Sequence, residues 1–186
     1  MKGKSIFSIR DMCEIAMLVA LAVVLDQFCK IPVGENGGSI SISMVPLFLI
    51  CYRHGLIKGA ISSGLIFGFI TNLLDGYGFL CFPFDYLLAC GSLCIVSLFT
   101  KKIFENKSKV QPYIFVSLSI IIACALRLTF HVISGMVLYG LDFVGSFVYN
   151  FAYVGPSCLI CIVIFIVFLE LFKQLNNTFP IFKNYK

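Results

Sequence analysis

Long apolar runs broken by short polar or glycine-rich intervals organise this chain. The runs predict six helices at about residues 12–29, 40–52, 56–74, 83–99, 112–139 and 146–172. Each approaches the roughly 20 apolar residues that cross a bilayer. The second is short, with Pro46 near its start. Before it, residues 31–43 hold Pro32, Gly34, Gly37 and Gly38 and read as a loop. Alternating serine and isoleucine there suit a short extended piece. Tyr52–Lys58 reads as a tight polar turn about Gly55, with His54 a solvated loop residue. Gly59, Gly64 and Gly68 on the third run are expected at close helix contacts. Asp75-Gly-Tyr-Gly-Phe is a turn, residues 101–111 are the most polar segment, and Gly155-Pro156 is expected to kink the last helix. No internal repeat stands out.

Composition sharpens this to a class. Hydrophobic residues make up 60% of the 186 and charged ones 12%, against about 25% charged in a soluble domain. Mean hydropathy is +1.00. The expectation is an all-α integral membrane protein forming one six-helix domain over residues 1–186. There is no room for a soluble catalytic or nucleotide-binding domain, so active transport would draw on an ion gradient or another polypeptide. MKGKSIFSIR and the apolar run after it look like a signal peptide at first sight. Glu14 within the run, Asp26 and Lys30 at its end and the lack of a small-x-small cleavage site favour a retained first helix. Glu14 is placed at the cytoplasmic headgroup level. Of nine cysteines, seven lie in apolar runs and act as small hydrophobes; Cys29 and Cys81 lie near outer loops. Cys158 and Cys161 form a CxxC and Cys90 and Cys94 sit one turn apart, without the soluble context that metal or redox use of such pairs requires.

Charge then sets an orientation. With the N-terminus in the cytoplasm, six spans leave twelve of fourteen basic residues inside: Lys2, Lys4, Arg10, Arg53, Lys58, Lys101, Lys102, Lys107, Lys109, Lys173, Lys183 and Lys186. Both termini are therefore expected in the cytoplasm. Lys30 stays outside and Arg127 lies within a span. Asp26, Glu35, Asp75, Asp85 and Asp142 fall on the outer side, which would concentrate cations at that mouth. They could equally be what remains once lysines are kept inside. Asp26 and Lys30 are spaced to pair at i, i+4.

Arg127 to Asn150 breaks the apolar pattern most sharply. Polar groups at membrane depth cost roughly 2.5–3.5 kcal/mol each on insertion scales, so they need partners or a task. Arg127 and His131 share a helix face with Gly135, which would admit a close approach, and Tyr139 stands a turn further out. The sixth helix offers Tyr149, Asn150 and Tyr153, and the fourth offers Asp85 and Tyr86. One carboxylate, one imidazole, one carboxamide and several rings suit a flat, nitrogen-rich cation. Structural readings stand beside this. Arg127 could neutralise a carboxylate, His131 and Asn150 could bond helices together, and Tyr77, Tyr86, Tyr139 and Tyr149 could be interface aromatics. Asp85 could complement a helix dipole. Ala16 and Ala20 suit either internal packing or a partner subunit.

Five segments carry a family resemblance: EIAMLVALAVVLD, GGSISISMVPLFLICYRHGLIKGAISSGLIFG, FDYLLA, RLTFHVISGMVLYG and YNFAYVGPS. Together they resemble the thiamine-specific substrate-binding (S) component of energy-coupling-factor vitamin transporters. The resemblance implies a multi-pass subunit of the bacterial plasma membrane that captures thiamine outside. It implies a transmembrane coupling (T) subunit and two cytoplasmic ATPases as partners, no catalysis by this chain, and neither cofactor nor metal. It assigns ligand contact to Asp85, His131 and Asn150, with aromatic walls from Tyr86 and Tyr139; Tyr149 and Tyr77 are further candidate walls from the reading of the residues. Ala16 and Ala20 match its docking motif. The chain departs from the family in lacking tryptophan and in placing Gly145 where a stacking tyrosine often stands; Tyr77 or Phe143 could substitute. Other readings are an S component for another vitamin or a thiamine precursor, a stand-alone cation-coupled carrier and, less favoured, an intramembrane enzyme using His131.

Overall fold

The computed structural model describes residues 8–33, 37–106 and 108–179. Helix α1 spans Ile9–Phe28 and opens on a capping box. The Ser8 hydroxyl accepts from the Arg10 N–H at 3.2 Å, and the Asp11 carboxylate accepts from the Ser8 N–H at 3.1 Å. It buries Ile15, Val19 and Ala22 against the other helices. Ala16 and Ala20 point away from that packing and are exposed.

After α1 the chain forms an antiparallel hairpin, β1 (Lys30–Val33) with β2 (Gly38–Ser41), in which Ile31 faces Ile40. The second helix therefore begins at Met44 and not near residue 40. The alternating Ser-Ile run is spent on strand pairing, and the Ser41 N–H is taken by Ser157 Oγ at 3.1 Å. The all-α expectation gains this one sheet.

Helix α2 (Met44–Asp75) is interrupted at Gly55, whose φ of +82° admits glycine readily. The chain doubles back there: a Cβ on Gly59 would lie 3.2 Å from Cys51 Cα, impossible along one straight helix. The first limb, residues 44–54, has a length of about 16 Å, roughly half a hydrocarbon layer. The second limb, residues 56–75, packs on α3 (Phe82–Phe104). Glycines permit the approach, since a Cβ on Gly64 would meet Leu87 O at 2.6 Å and Gly91 Cα at 2.9 Å. Ile61–Phe67 and Phe82–Leu88 are wound as π-helix and Ser92–Phe99 as 3-10 helix. Helix α4 covers Gln111–Leu138, and α5 covers Phe143–Thr178, continuous through Pro156. Among the described residues, α2, α3, α4 and α5 are long and apolar enough to cross a membrane.

One half of the bundle is solid. Phe48 and Tyr52 meet the Phe165 ring edge-on at 6.1 and 5.5 Å, and Tyr52 OH shares a 2.6 Å hydrogen bond with Ser119 Oγ. At this end the turn at Gly55 is not a solvated polar loop. Arg53, His54 and Lys58 are buried against the start of α1. Arg53 pairs with Glu14 and donates to Phe179 O at 3.3 Å, and Lys58 holds Asp11 at 2.7 Å. His54, expected in solvent, is 6% exposed, with one ring nitrogen 3.7 Å from Asp11 and the other 3.7 Å from Glu14. Two acids in the first turns of α1 draw the basic turn inward, because buried carboxylates require counter-charge.

The remaining described basic residues of the expected inner set, Arg10, Lys101, Lys102, Lys109 and Lys173, sit in the stretches that end or begin helices at this same end. Asp26, Asp75, Asp85 and Asp142 lie at the opposite end. Gly34, Glu35, Lys2, Lys4, Lys107, Lys183 and Lys186 fall outside the described residues.

A candidate ligand-binding site beneath the hairpin

At the acidic end the short first limb of α2 leaves space, and the bundle encloses a cavity of about 480 Å³. A volume of this size suits a small organic molecule. Its lining includes Asp85, Tyr86, His131, Tyr139, Tyr149, Asn150 and Tyr77, so residues far apart in sequence share one wall system. Phe143 lies elsewhere: it is 60% exposed and stacks on Phe147, with ring centres 6.2 Å apart. Tyr77, in contrast, stands at the cavity near Gly37.

Asp85 occupies the π-wound start of α3, a widened turn of the kind that recurs at functional sites. Two groups of α4 hold it. His131 Nδ1 lies 3.0 Å from Oδ1, and the Ser134 hydroxyl donates to Oδ2 at 2.6 Å. Arg127 Nε donates to His131 Nε2 at 3.2 Å. Arg127, His131 and Ser134 follow i, i+4, i+7 spacing and so form one stripe of α4 facing the cavity. Arg127 is thus part of the cavity wall. Ser134 is not among the residues expected from the sequence, although it shares the RLTFHVIS face with Arg127 and His131.

A second carboxylate group lies across the cavity. Asp75 pairs with Lys30 at 3.2 Å and accepts from Tyr86 OH at 3.0 Å. The expected Asp26–Lys30 pair does not form; Asp26 accepts from Ser43 Oγ at 2.9 Å. The start of β1 carries Lys30 away from the helical i, i+4 position and toward Asp75. Asp26, Asp75 and Asp85 face Lys30 and Arg127 in the lining, a formal balance of −1.

The hairpin roofs this space. Tyr149 OH accepts from the Gly38 N–H at 3.2 Å and donates to Val33 O at 3.3 Å, clipping both strands to α5. Gly38 lies so close to Tyr153 that a Cβ there would collide with the ring. Tyr139 OH and Cys81 Sγ are 3.3 Å apart at the rim, and Cys81, expected near an outer loop, is buried in the wall. Gly135, expected to admit a close approach, admits Ser146 of α5. Asn150 is buried and engaged: Nδ2 donates to Ser146 O at 2.8 Å and His131 O at 3.3 Å, and Oδ1 accepts from Tyr153 OH. Gly145 lines the cavity beside Asp142, which caps α5 by accepting from the Gly145 N–H at 3.3 Å. All nine cysteines are free, and no cluster of metal-ligating side chains occurs among the described residues.

Comparisons with known proteins bear on this arrangement. A family model described as thiamine transporter protein matches residues 12–177. The chain is 33% identical over 169 residues to the thiamine transporter ThiT of Bacillus subtilis (strain 168), an alignment covering 81% of this chain and 85% of that relative. A solved structure of ThiT from Listeria monocytogenes matches with a TM-score of 0.69 at 23% identity, covering 87% of this chain and 93% of that one. At that identity the structural likeness speaks for the fold. The family match runs from the first turn of α1 to the last turn of α5, so it takes in every wall of the cavity, and the chain belongs to the thiamine transporter protein family.

Proposed function

We propose that this chain is the S component of an energy-coupling-factor transporter and captures thiamine from outside the cell. The observation that carries this reading is the cavity: a formal charge of −1, tyrosine walls and a half-buried carboxylate, enclosed in a member of a thiamine transporter family. Thiamine is a monocation with an amino-substituted heterocycle. Asp85 balances the thiazolium charge and accepts from the amino group. Tyr86, Tyr139, Tyr149 and Tyr77 supply aromatic surface for stacking and cation–π contact, worth about 0.5–2 kcal/mol each. His131 and Asn150 fix the wall against which the ring system lies.

The whole of residues 1–186 acts as one six-segment domain of the bacterial plasma membrane, with the two limbs of α2 counted separately, the short first limb completing the path from the hairpin to the cytoplasmic side, and both ends in the cytoplasm. The gathering of most described basic residues at the end away from the cavity supports that orientation. In this reading the subunit works with a T subunit and two cytoplasmic ATPases. Ala16 and Ala20, exposed on α1, form the docking strip for that module.

Titrating thiamine into the detergent-purified protein tests the reading. Saturable binding at or below micromolar thiamine is expected, and its absence rejects the assignment. Competition with the pyrimidine half alone separates a thiamine site from a precursor site. Uptake by liposomes holding this chain alone would establish a stand-alone carrier instead.

A further inference from the structure

Arg127 is a full positive charge in the wall of a cavity assigned to a cation, and that placement needs a physical account. A guanidinium only donates hydrogen bonds. Its Nε sits 3.2 Å from His131 Nε2, so that ring nitrogen presents its lone pair. The ring proton is then on Nδ1, which lies 3.0 Å from Asp85 Oδ1 and donates to it. In that arrangement the ring would be a neutral imidazole bridging a guanidinium and a carboxylate.

We propose that Arg127 is a positioning residue: it fixes His131 as the neutral, Nδ1-protonated ring and thereby leaves the charge of Asp85 available to a cationic ligand. Two other states of His131 would spoil the site. With the proton on Nε2, the Nδ1 lone pair would face the Asp85 carboxylate. With both nitrogens protonated, an imidazolium would sit against Asp85 and cancel its charge. The Arg127 N–H occupies the position that either state needs for a proton on Nε2. The groups touching the ring are Arg127 on its own helix, Asp85 from α3 and the Tyr153 ring from α5, 5.8 Å away. Asp26 from α1, Lys30 from β1 and Asp75 from α2 are the other charges of the lining.

The consequence for ligand affinity rests on the thiamine reading; the state of the ring does not. Imidazole 15N spectra of the detergent-purified protein, with His131→Gln to assign one of the two histidines, therefore test the proposal without ligand. The wild-type ring is expected to stay neutral with its proton on Nδ1 from pH 8 to 6. In Arg127→Met it is expected to gain a proton on Nε2 by pH 6, and Arg127→Lys, which keeps a charged donor, is expected to restore the wild-type signature. Thiamine titration should follow: wild type and Arg127→Lys hold within about twofold across that range, and Arg127→Met loses about tenfold toward pH 6. An imidazolium or an Nε2-protonated ring in the wild type overturns the proposal, as does an unchanged ring in Arg127→Met. Should Arg127→Met fail to fold, the wild-type spectrum still decides, with Arg127→Gln as the uncharged variant. A wild type with the expected ring but no affinity for thiamine would sink the ligand assignment alone.

Discussion

Asp85→Asn tests the electrostatics of the cavity with little change of shape. The two side chains are nearly isosteric, so the cavity keeps its volume. The Ser134 hydroxyl, which donates to Oδ2 at 2.6 Å, can turn to accept from the new amide, and His131 Nδ1 keeps a carbonyl oxygen to bond. What changes is charge: the formal balance of the lining goes from −1 to zero. A unit cation about 5 Å from the carboxylate, at an effective dielectric constant of about 20, gains about 3 kcal/mol. Losing that term corresponds to roughly 100- to 300-fold in thiamine affinity. The neutral pyrimidine half should lose only the charge-assisted part of one hydrogen bond, about 1 kcal/mol or roughly fivefold. Calorimetry is the suitable assay, because the chain has no tryptophan to report binding by fluorescence. Asp85→Glu, which keeps the charge, should lose less than Asp85→Asn. The reasoning is refuted if thiamine binding to Asp85→Asn falls less than tenfold, or if the neutral half loses as much as thiamine.

Three further outcomes follow from the packing. Gly38→Val drives a side chain into the Tyr153 ring and lifts the hairpin; overpacking of this kind costs about 1–3 kcal/mol, so thiamine affinity should fall roughly tenfold, and unchanged affinity would mean that the hairpin does not close the cavity. Glu14→Gln leaves the Arg53 guanidinium buried with its counter-charge removed; breaking such a pair costs about 3–5 kcal/mol, read as a lower Tm in detergent with thiamine binding retained below it, and an unshifted Tm would contradict the burial argument. Ala20→Leu adds bulk to an exposed strip of α1, so thiamine binding by the isolated subunit should persist while cellular uptake falls at least tenfold; loss of binding would place Ala20 in internal packing.

Apolar run length made the helices legible, and charge sorting made the two ends legible. The exceptions have local causes. Ile40 and the serines around it are as compatible with a helix start as with a strand; pairing with Lys30–Val33, a non-local event, decides the matter. A turn with three basic residues normally faces water, yet His54 is buried. The acids that bury it, Asp11 and Glu14, lie about forty positions earlier on another helix. Lys30 shows the same limit. Spacing along one helix favoured Asp26, but β1 begins at Lys30 and turns it toward Asp75. Helical spacing did serve for α4, where the Arg127–His131 face is the wall of the cavity, and it extended further than was read, to Ser134.

A polar residue in a membrane helix announces only that it needs a partner or a task. Counting partners atom by atom separates the two. The donors of Asn150 are spent on Ser146 and His131 and its oxygen accepts from Tyr153, so it joins α4 and α5 within the wall of the cavity. Tyr149 spends its hydroxyl on both strands of the hairpin and presents only its ring to the interior. Asp85 differs. Two oxygens with about four acceptor positions take two donors, and both donors come from the α4 side. The capacity that remains faces the cavity, together with a charge that the neutral bridge through His131 does not cancel. Affinity for a cationic ligand should therefore depend more on this carboxylate than on Tyr149 and Asn150, which act through the shape and closure of the space around it.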